Sequence, residues 1–81
     1  MKQRVYSPKS LGAAIKRARK LRKKNQSDAG KSFRLEQSTV SNIERGITGT
    51  RIETIFRLLA ALDLDMIIQD RSITADSKEE W

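Results

Sequence analysis

The sequence predicts an all-α domain of four to five short helices, closed by one C-terminal β-strand that pairs across a homodimer. Three observations lead there. Apolar residues recur at helical spacing in separate stretches of the chain. Capping residues and glycines fall between those stretches. The spacing then changes once, to alternation, over residues 64–69.

Residues 1–6 form a basic arm. Ser7 is the expected N-cap of the first helix, and Pro8 suits its first position, where a missing N–H leaves nothing unpaired. Leu11, Ala14, Ile15, Ala18 and Leu21 make one apolar stripe, so this helix is read over 8–24. Lys16, Arg17, Arg19, Lys20, Arg22, Lys23 and Lys24 occupy its other faces. Asn25 caps a second helix over 26–33, with Asp28 near its positive end and Ala29 and Phe33 facing inward. Gly30 within it disfavours helix by about 1 kcal/mol relative to alanine, which suggests a close approach there. The connection Arg34-Leu35-Glu36 is tight. A third helix follows over 37–45, with Leu35, Val40 and Ile43 inward and Gly46 as its C-terminal cap. Ile47-Thr48-Gly49 is a loop, and Thr50-Arg51-Ile52-Glu53 reads as a capping box. The fourth helix runs to 62 on the stripe Ile52, Ile55, Phe56, Leu59 and Leu62, and Phe33, Ile55, Phe56 and Leu59 are expected in the core.

In Leu64-Asp65-Met66-Ile67-Ile68-Gln69, one face carries Leu64, Met66 and Ile68. No other segment reads as a strand, and a lone strand cannot satisfy its own backbone hydrogen bonds. The same strand in a second copy is the simplest supplier, so Leu64, Met66 and Ile68 are the expected dimerisation residues. The chain thus divides into a folded and dimerising domain, 1–69, and a flexible acidic tail, 70–81, ending in Trp81.

Charge then narrows the function. The 81 residues carry a formal charge of +7, a composition that favours a polyanionic partner. The excess is concentrated in residues 1–34, with twelve basic residues and one acid, while residues 70–81 carry two basic residues and four acids. The absence of cysteine and histidine excludes disulfides, Cys/His zinc sites and His- or Cys-based catalysis. The acids form no pair placed for proton transfer, and no phosphate loop is present. An enzyme is therefore not expected, nor a cofactor or metal. No apolar run approaches the roughly 18 residues of a membrane span, so the expected location is cytoplasmic.

A short helix, a tight turn and a helix with a slender polar face form a helix-turn-helix arrangement. A recognition helix must enter a major groove about 12 Å wide and bring its side chains to base edges. Gln37, Ser38, Thr39, Ser41 and Asn42 suit that task, and Arg45 suits a phosphate. Gln26 and Ser27 open the second helix, where amides can hold phosphate. The basic run on the first helix reads equally well as a solvated face.

The stretch QSDAGKSFRLEQSTVSNIERG, residues 26–46, resembles the Cro/repressor-type (Xre-like) helix-turn-helix family, through Gln26 and through STVSNIERG. With the flanking helices the resemblance spans about residues 10–65. It implies double-stranded DNA as partner, a phosphate contact at the Thr48 loop and an internal salt bridge between Arg19 and Glu44. A narrower resemblance is to the HipB-like antitoxins. It is carried by Tyr6-Ser7-Pro8, Val40-Ser41-Asn42-Ile43-Glu44, the strand pattern and the Glu80-Trp81 end. It implies a homodimeric repressor on a palindromic operator of its own operon, which also binds and neutralises a HipA-like Ser/Thr kinase toxin. Trp81 is then the candidate toxin-binding residue. Three positions depart from the family pattern: Ala29 replaces leucine, Arg34 replaces glycine, and Glu36 stands where a small or basic residue is common. A carboxylate at 36 repels phosphates unless it accepts from a cytosine amino group. A stand-alone phage-type repressor without a toxin, and a protein–protein adaptor with no specific DNA site, remain as alternatives.

Overall fold

The computed structural model describes residues 1–71 and contains, in chain order, α1 (Pro8–Leu21), α2 (Gln26–Lys31), α3 (Gln37–Glu44) and α4 (Ile52–Ala61). All four end in the same way. A residue with positive φ follows the last turn, at Lys23 (56°), Arg34 (57°), Gly46 (74°) and Asp63 (60°). Two backbone bonds close each end. Lys24 N–H donates to the Arg19 carbonyl at 3.2 Å, and Lys23 N–H to that of Lys20 at 3.0 Å. Leu35 N–H donates to the Gly30 carbonyl at 2.8 Å, and Arg34 N–H to that of Lys31 at 3.2 Å. Ile47 and Gly46 repeat the pattern onto Asn42 and Ile43, and Leu64 and Asp63 onto Leu59 and Ala60. This is the Schellman arrangement, which satisfies carbonyls the helix leaves open. A side chain in the left-handed region costs about 1–2 kcal/mol, and three of the four ends accept that cost.

These terminators shorten α1, α2 and α3 relative to the spans expected from periodicity. They also move Phe33 off α2 into the turn, where it is exposed rather than inward. In exchange, Leu35 and Leu64, each directly after the positive-φ residue of its terminator, fold back against the core.

The N-termini divide. Ser7 Oγ accepts from Ser10 N–H at 3.0 Å and Ser10 Oγ accepts from Ser7 N–H at 2.9 Å, a reciprocal box built from two serines. Asn25 Oδ1 accepts from Asp28 N–H at 2.7 Å, as its N-cap role requires. The capping box expected at Thr50 and Glu53 does not form. Arg51 is the N-cap of α4 and makes no side-chain capping bond. Glu53 thus falls one position too early in the helix to reach back, and faces Arg51 at 3.5 Å on the surface.

The core gathers Ile15, Ala29, Leu35, Val40, Ile43, Leu58, Leu59 and Leu62, with Leu11, Ile55 and Leu64 partly buried against it. The buried stripe of α4 is Ile55, Leu58, Leu59 and Leu62, rotated from the expected one, and it leaves Ile52 and Phe56 exposed. Leu21, on the expected stripe of α1, is also exposed. Ala29 is buried, so its small side chain lets α2 lie close to the core. The strand expected over 64–69 is not formed within the single chain, since a strand exists only with a partner, and Met66, Ile67 and Ile68 lie exposed.

Two glycines set how closely α3 is held. A Cβ on Gly30 would lie 2.9 Å from the Leu35 Cβ, so the close approach suggested by the sequence is to the turn. A Cβ on Gly12 of α1 would strike the Ile43 carbonyl and lie 2.6 Å from that of Glu44. Gly12→Ala should therefore destabilise the domain by about 1–3 kcal/mol through overpacking, despite a helix-propensity gain of about 1 kcal/mol. Urea unfolding at fixed protein concentration measures the difference.

Candidate nucleic-acid interface

α3 packs against α1 and α2, with its buried side set by Val40, Ile43 and Glu44. Helical spacing then fixes what it presents. Ser38 and Arg45 are exposed, with Ser41 half-buried between them. Gln37 is exposed and lines a groove toward α2, shared with Ser27, Asp28, Lys31, Arg34 and Glu36. Thr39 and Asn42, both half-buried, line a second groove toward α4. Thr48 is exposed in the loop beyond α3. The residues nominated on α3 therefore lie together, divided between a crest and the two grooves beside it. The grooves hold about 560 Å³ and 360 Å³, but charged and polar side chains dominate their walls, unlike the apolar pockets that bury small ligands.

Residues that periodicity did not single out complete the second groove. Arg34, Arg51 and Arg57 line it with Thr50 and Thr54. Arg57 Nη2 donates to the Phe33 carbonyl at 2.5 Å, tying α4 to the end of α2. The signal for these arginines was weak, because isolated basic residues in turns, at caps and on amphipathic helices ordinarily face solvent.

A buried ionic knot orients the assembly. Arg19 Nε donates to Glu44 Oε2 at 2.6 Å and Arg19 Nη2 to Glu44 Oε1 at 3.0 Å, with side chains only 10% and 2% exposed. This pair, implied by the family resemblance, joins α1 to the end of α3. Gln26 Nε2 donates to Glu44 Oε1 at 3.2 Å and adds α2. Arg19 Nη1 donates to the Lys24 carbonyl at 2.8 Å and adds the turn between α1 and α2. The hydrogen bond that Arg19 donates to Glu44, opposed by burial and aided by the carboxylate's charge, raises the Arg19 pKa above its ordinary value. Among the described residues, no buried side-chain nitrogen or oxygen lacks a hydrogen-bond partner. Arg45 Nη2 donates to Asn42 Oδ1 at 2.7 Å, linking the crest to the α4 groove.

Gln26 is thus held by its amide nitrogen, while Ser27 beside it is exposed at the start of α2. Leu64 is half-buried against its own core, whereas Met66 and Ile68 project away. Trp81 lies outside the described residues. No helix among the described residues is long and apolar enough to cross a membrane.

A helix-turn-helix family model matches residues 15–68. The chain is 33% identical over 79 residues to Antitoxin HipB of Escherichia coli (strain K12), covering 96% of this chain and 90% of that protein. It is 35% identical over 68 residues to Antitoxin HipB of Escherichia coli O6:H1, covering 84% of this chain and 72% of that protein. A solved HipA-HipB-O2-O3 complex contains a chain that superposes with a TM-score of 0.80 at 34% identity, over 88% of this chain and 100% of that one. A HipB-O4 20mer complex gives 0.81 at 34% identity, over 88% and 100%.

Removing one member of the ionic knot tests its geometry. Arg19→Ala leaves the Glu44 carboxylate buried against a neutral amide, and should cost about 3–5 kcal/mol. Equilibrium unfolding in urea checks this. A loss under about 1 kcal/mol, the value of an exposed pair, would mean that water reaches Glu44.

Proposed function

We propose the function from one premise: the chain belongs to the helix-turn-helix family and, within it, to the HipB antitoxins. It is a DNA-binding repressor of its own operon, and an antitoxin that binds and neutralises a HipA-like Ser/Thr kinase. It is a regulator and not an enzyme. The observation that carries the DNA reading is the α3 crest. Gln37, Ser38 and Ser41 lie on a helix, capped at its end by Arg45, whose tilt is fixed by buried ionic and close-packed contacts, with arginines lining the groove beside it.

The mechanism follows from that geometry. Ser38 and Ser41 are short enough for the crest to enter the major groove, and Gln37 can bond an adenine through two atoms. Thr39 and Asn42 read or brace at the α4 side of the crest. Gln26, Ser27, Arg45 and Thr48 hold phosphates on either flank and set the register. A palindromic operator is met by two copies, whose recognition helices lie about one DNA turn apart, roughly 34 Å. The dimer is closed by residues 64–69 of each copy pairing as strands. Such pairing would cover Met66 and Ile68, which are 44% and 95% exposed in the single chain. Leu64 anchors each strand to its own core. The folded and dimerising unit is 1–69, and 70–81 is an acidic extension whose Trp81 docks on the kinase. The protein acts in the cytoplasm, where operator and kinase are both accessible.

Co-expression with the protein encoded beside it, followed by a salt-titrated gel shift on the DNA upstream, tests the reading. A stable complex and a salt-sensitive shift are expected. Gln37→Ala with Ser38→Ala should weaken operator binding about ten- to hundredfold and leave the salt dependence unchanged. No shift at low salt would overturn the DNA reading. A shift without a co-purifying kinase would overturn the antitoxin reading.

A further inference from the structure

α3 opens on a carboxylate that makes no capping bond and no ion pair among the described residues. This is Glu36, which occupies the N-cap position and is exposed. Cations surround it without pairing: Glu36 lines the α2 groove with Lys31 and Arg34, and the α4 groove with Arg34, Arg51 and Arg57. It also lies next to Gln37, at the end of α3 where recognition helices meet base edges.

An acid there opposes every phosphate, so its presence needs a compensating partner on the DNA. The major groove offers few. Guanine presents two acceptors, N7 and O6, and thymine presents an acceptor and a methyl group. Adenine presents a donor at N6, but beside the N7 acceptor, whose lone pair faces a carboxylate oxygen. Cytosine presents only the N4 amino donor. Resting on the DNA-binding reading above, we propose that Glu36 is a specificity-determining residue that accepts a hydrogen bond from the N4 amino group of an operator cytosine. The same charge lowers affinity for DNA that lacks a cytosine at that step, so discrimination comes from repulsion as well as attraction. Arg34, two residues earlier and lining both grooves, offsets the repulsion at the neighbouring backbone.

The test is selection from a library of randomised duplexes by the full chain and by Glu36→Gln and Glu36→Ala. Neither substitution removes a capping bond, so folding is not at issue. The natural chain should select a cytosine at one position of each half-site, by about tenfold or more. Glu36→Ala should flatten that position alone and tighten binding to random-sequence duplex severalfold. Glu36→Gln should move the preference toward adenine. Selection by the natural chain with no change at any position in either variant would overturn the proposal and leave the DNA-binding reading standing. A uniform rise across all sequences, with base preferences intact, would reduce Glu36 to a phosphate-repelling charge and also overturn it. Failure of the natural chain to select any duplex would overturn both.

Discussion

The orientation of α3 depends on one buried carboxylate. Glu44 is the last residue of the helix, and its two oxygens take three hydrogen bonds, two from Arg19 and one from Gln26. Burying such a pair yields little net stability, because the desolvation of two charges consumes most of the Coulombic gain. What it fixes is direction. Apolar contacts between α1 and α3 would tolerate small rotations, whereas a two-bond Arg–Glu pair with a third donor accepts one arrangement. The glycine contact at Gly12 then sets the distance between the same two helices. A helix that reads base edges through short side chains needs both, since a small tilt carries those side chains out of reach.

The ends of the helices serve the same purpose. Four Schellman terminators turn the chain within two or three residues, and they drop Leu35 and Leu64 into the core as anchors. Three of those turns use Lys23, Arg34 and Asp63 rather than glycine, at a conformational cost. At Arg34 the cost comes with a cation that lines both grooves beside α3. The exposed apolar residues beyond α4 are the surface that the proposed second copy would cover. A domain this small buries only about 60% of the surface its unfolded chain exposes, so added burial at a dimer interface matters.

Much of this was legible in the residues. Capping chemistry at Ser7 and Asn25, the glycine after α3 and the stripe of α1 through Ile15 and Ala18 all placed elements correctly, because each is a local signal. The errors share a cause. Helices α1 and α2 stop earlier than their periodicity because lysine and arginine adopt left-handed conformations that sequence assigns to glycine. Phe33 and Phe56 fell on the inward faces expected of α2 and α4, but the turn after α2 and the rotation of α4 onto Leu58 leave both exposed. Thr50 and Glu53 matched a capping box one residue out of register. The exposure of Gln37 and Ser38 was readable from helical spacing, but their residue types are ordinary for a solvent face and only the helix-turn-helix context singled them out. The arginines of the α4 groove were not readable, because their convergence is a product of tertiary packing. Arg19 and Glu44 lie far apart in sequence, and the family resemblance alone brought them together before the fold did.

The Arg19–Glu44 knot thus serves orientation more than stability. The direct measurement is the ratio of operator affinity to random-duplex affinity for a variant carrying Arg19→Met with Glu44→Leu, at matched salt, alongside its unfolding free energy. Stability should stay within about 2 kcal/mol of the natural chain, as apolar replacement of a buried pair allows, while the specificity ratio should fall at least tenfold. An unchanged ratio in a folded variant would contradict it, and α3 would then be oriented by apolar packing alone.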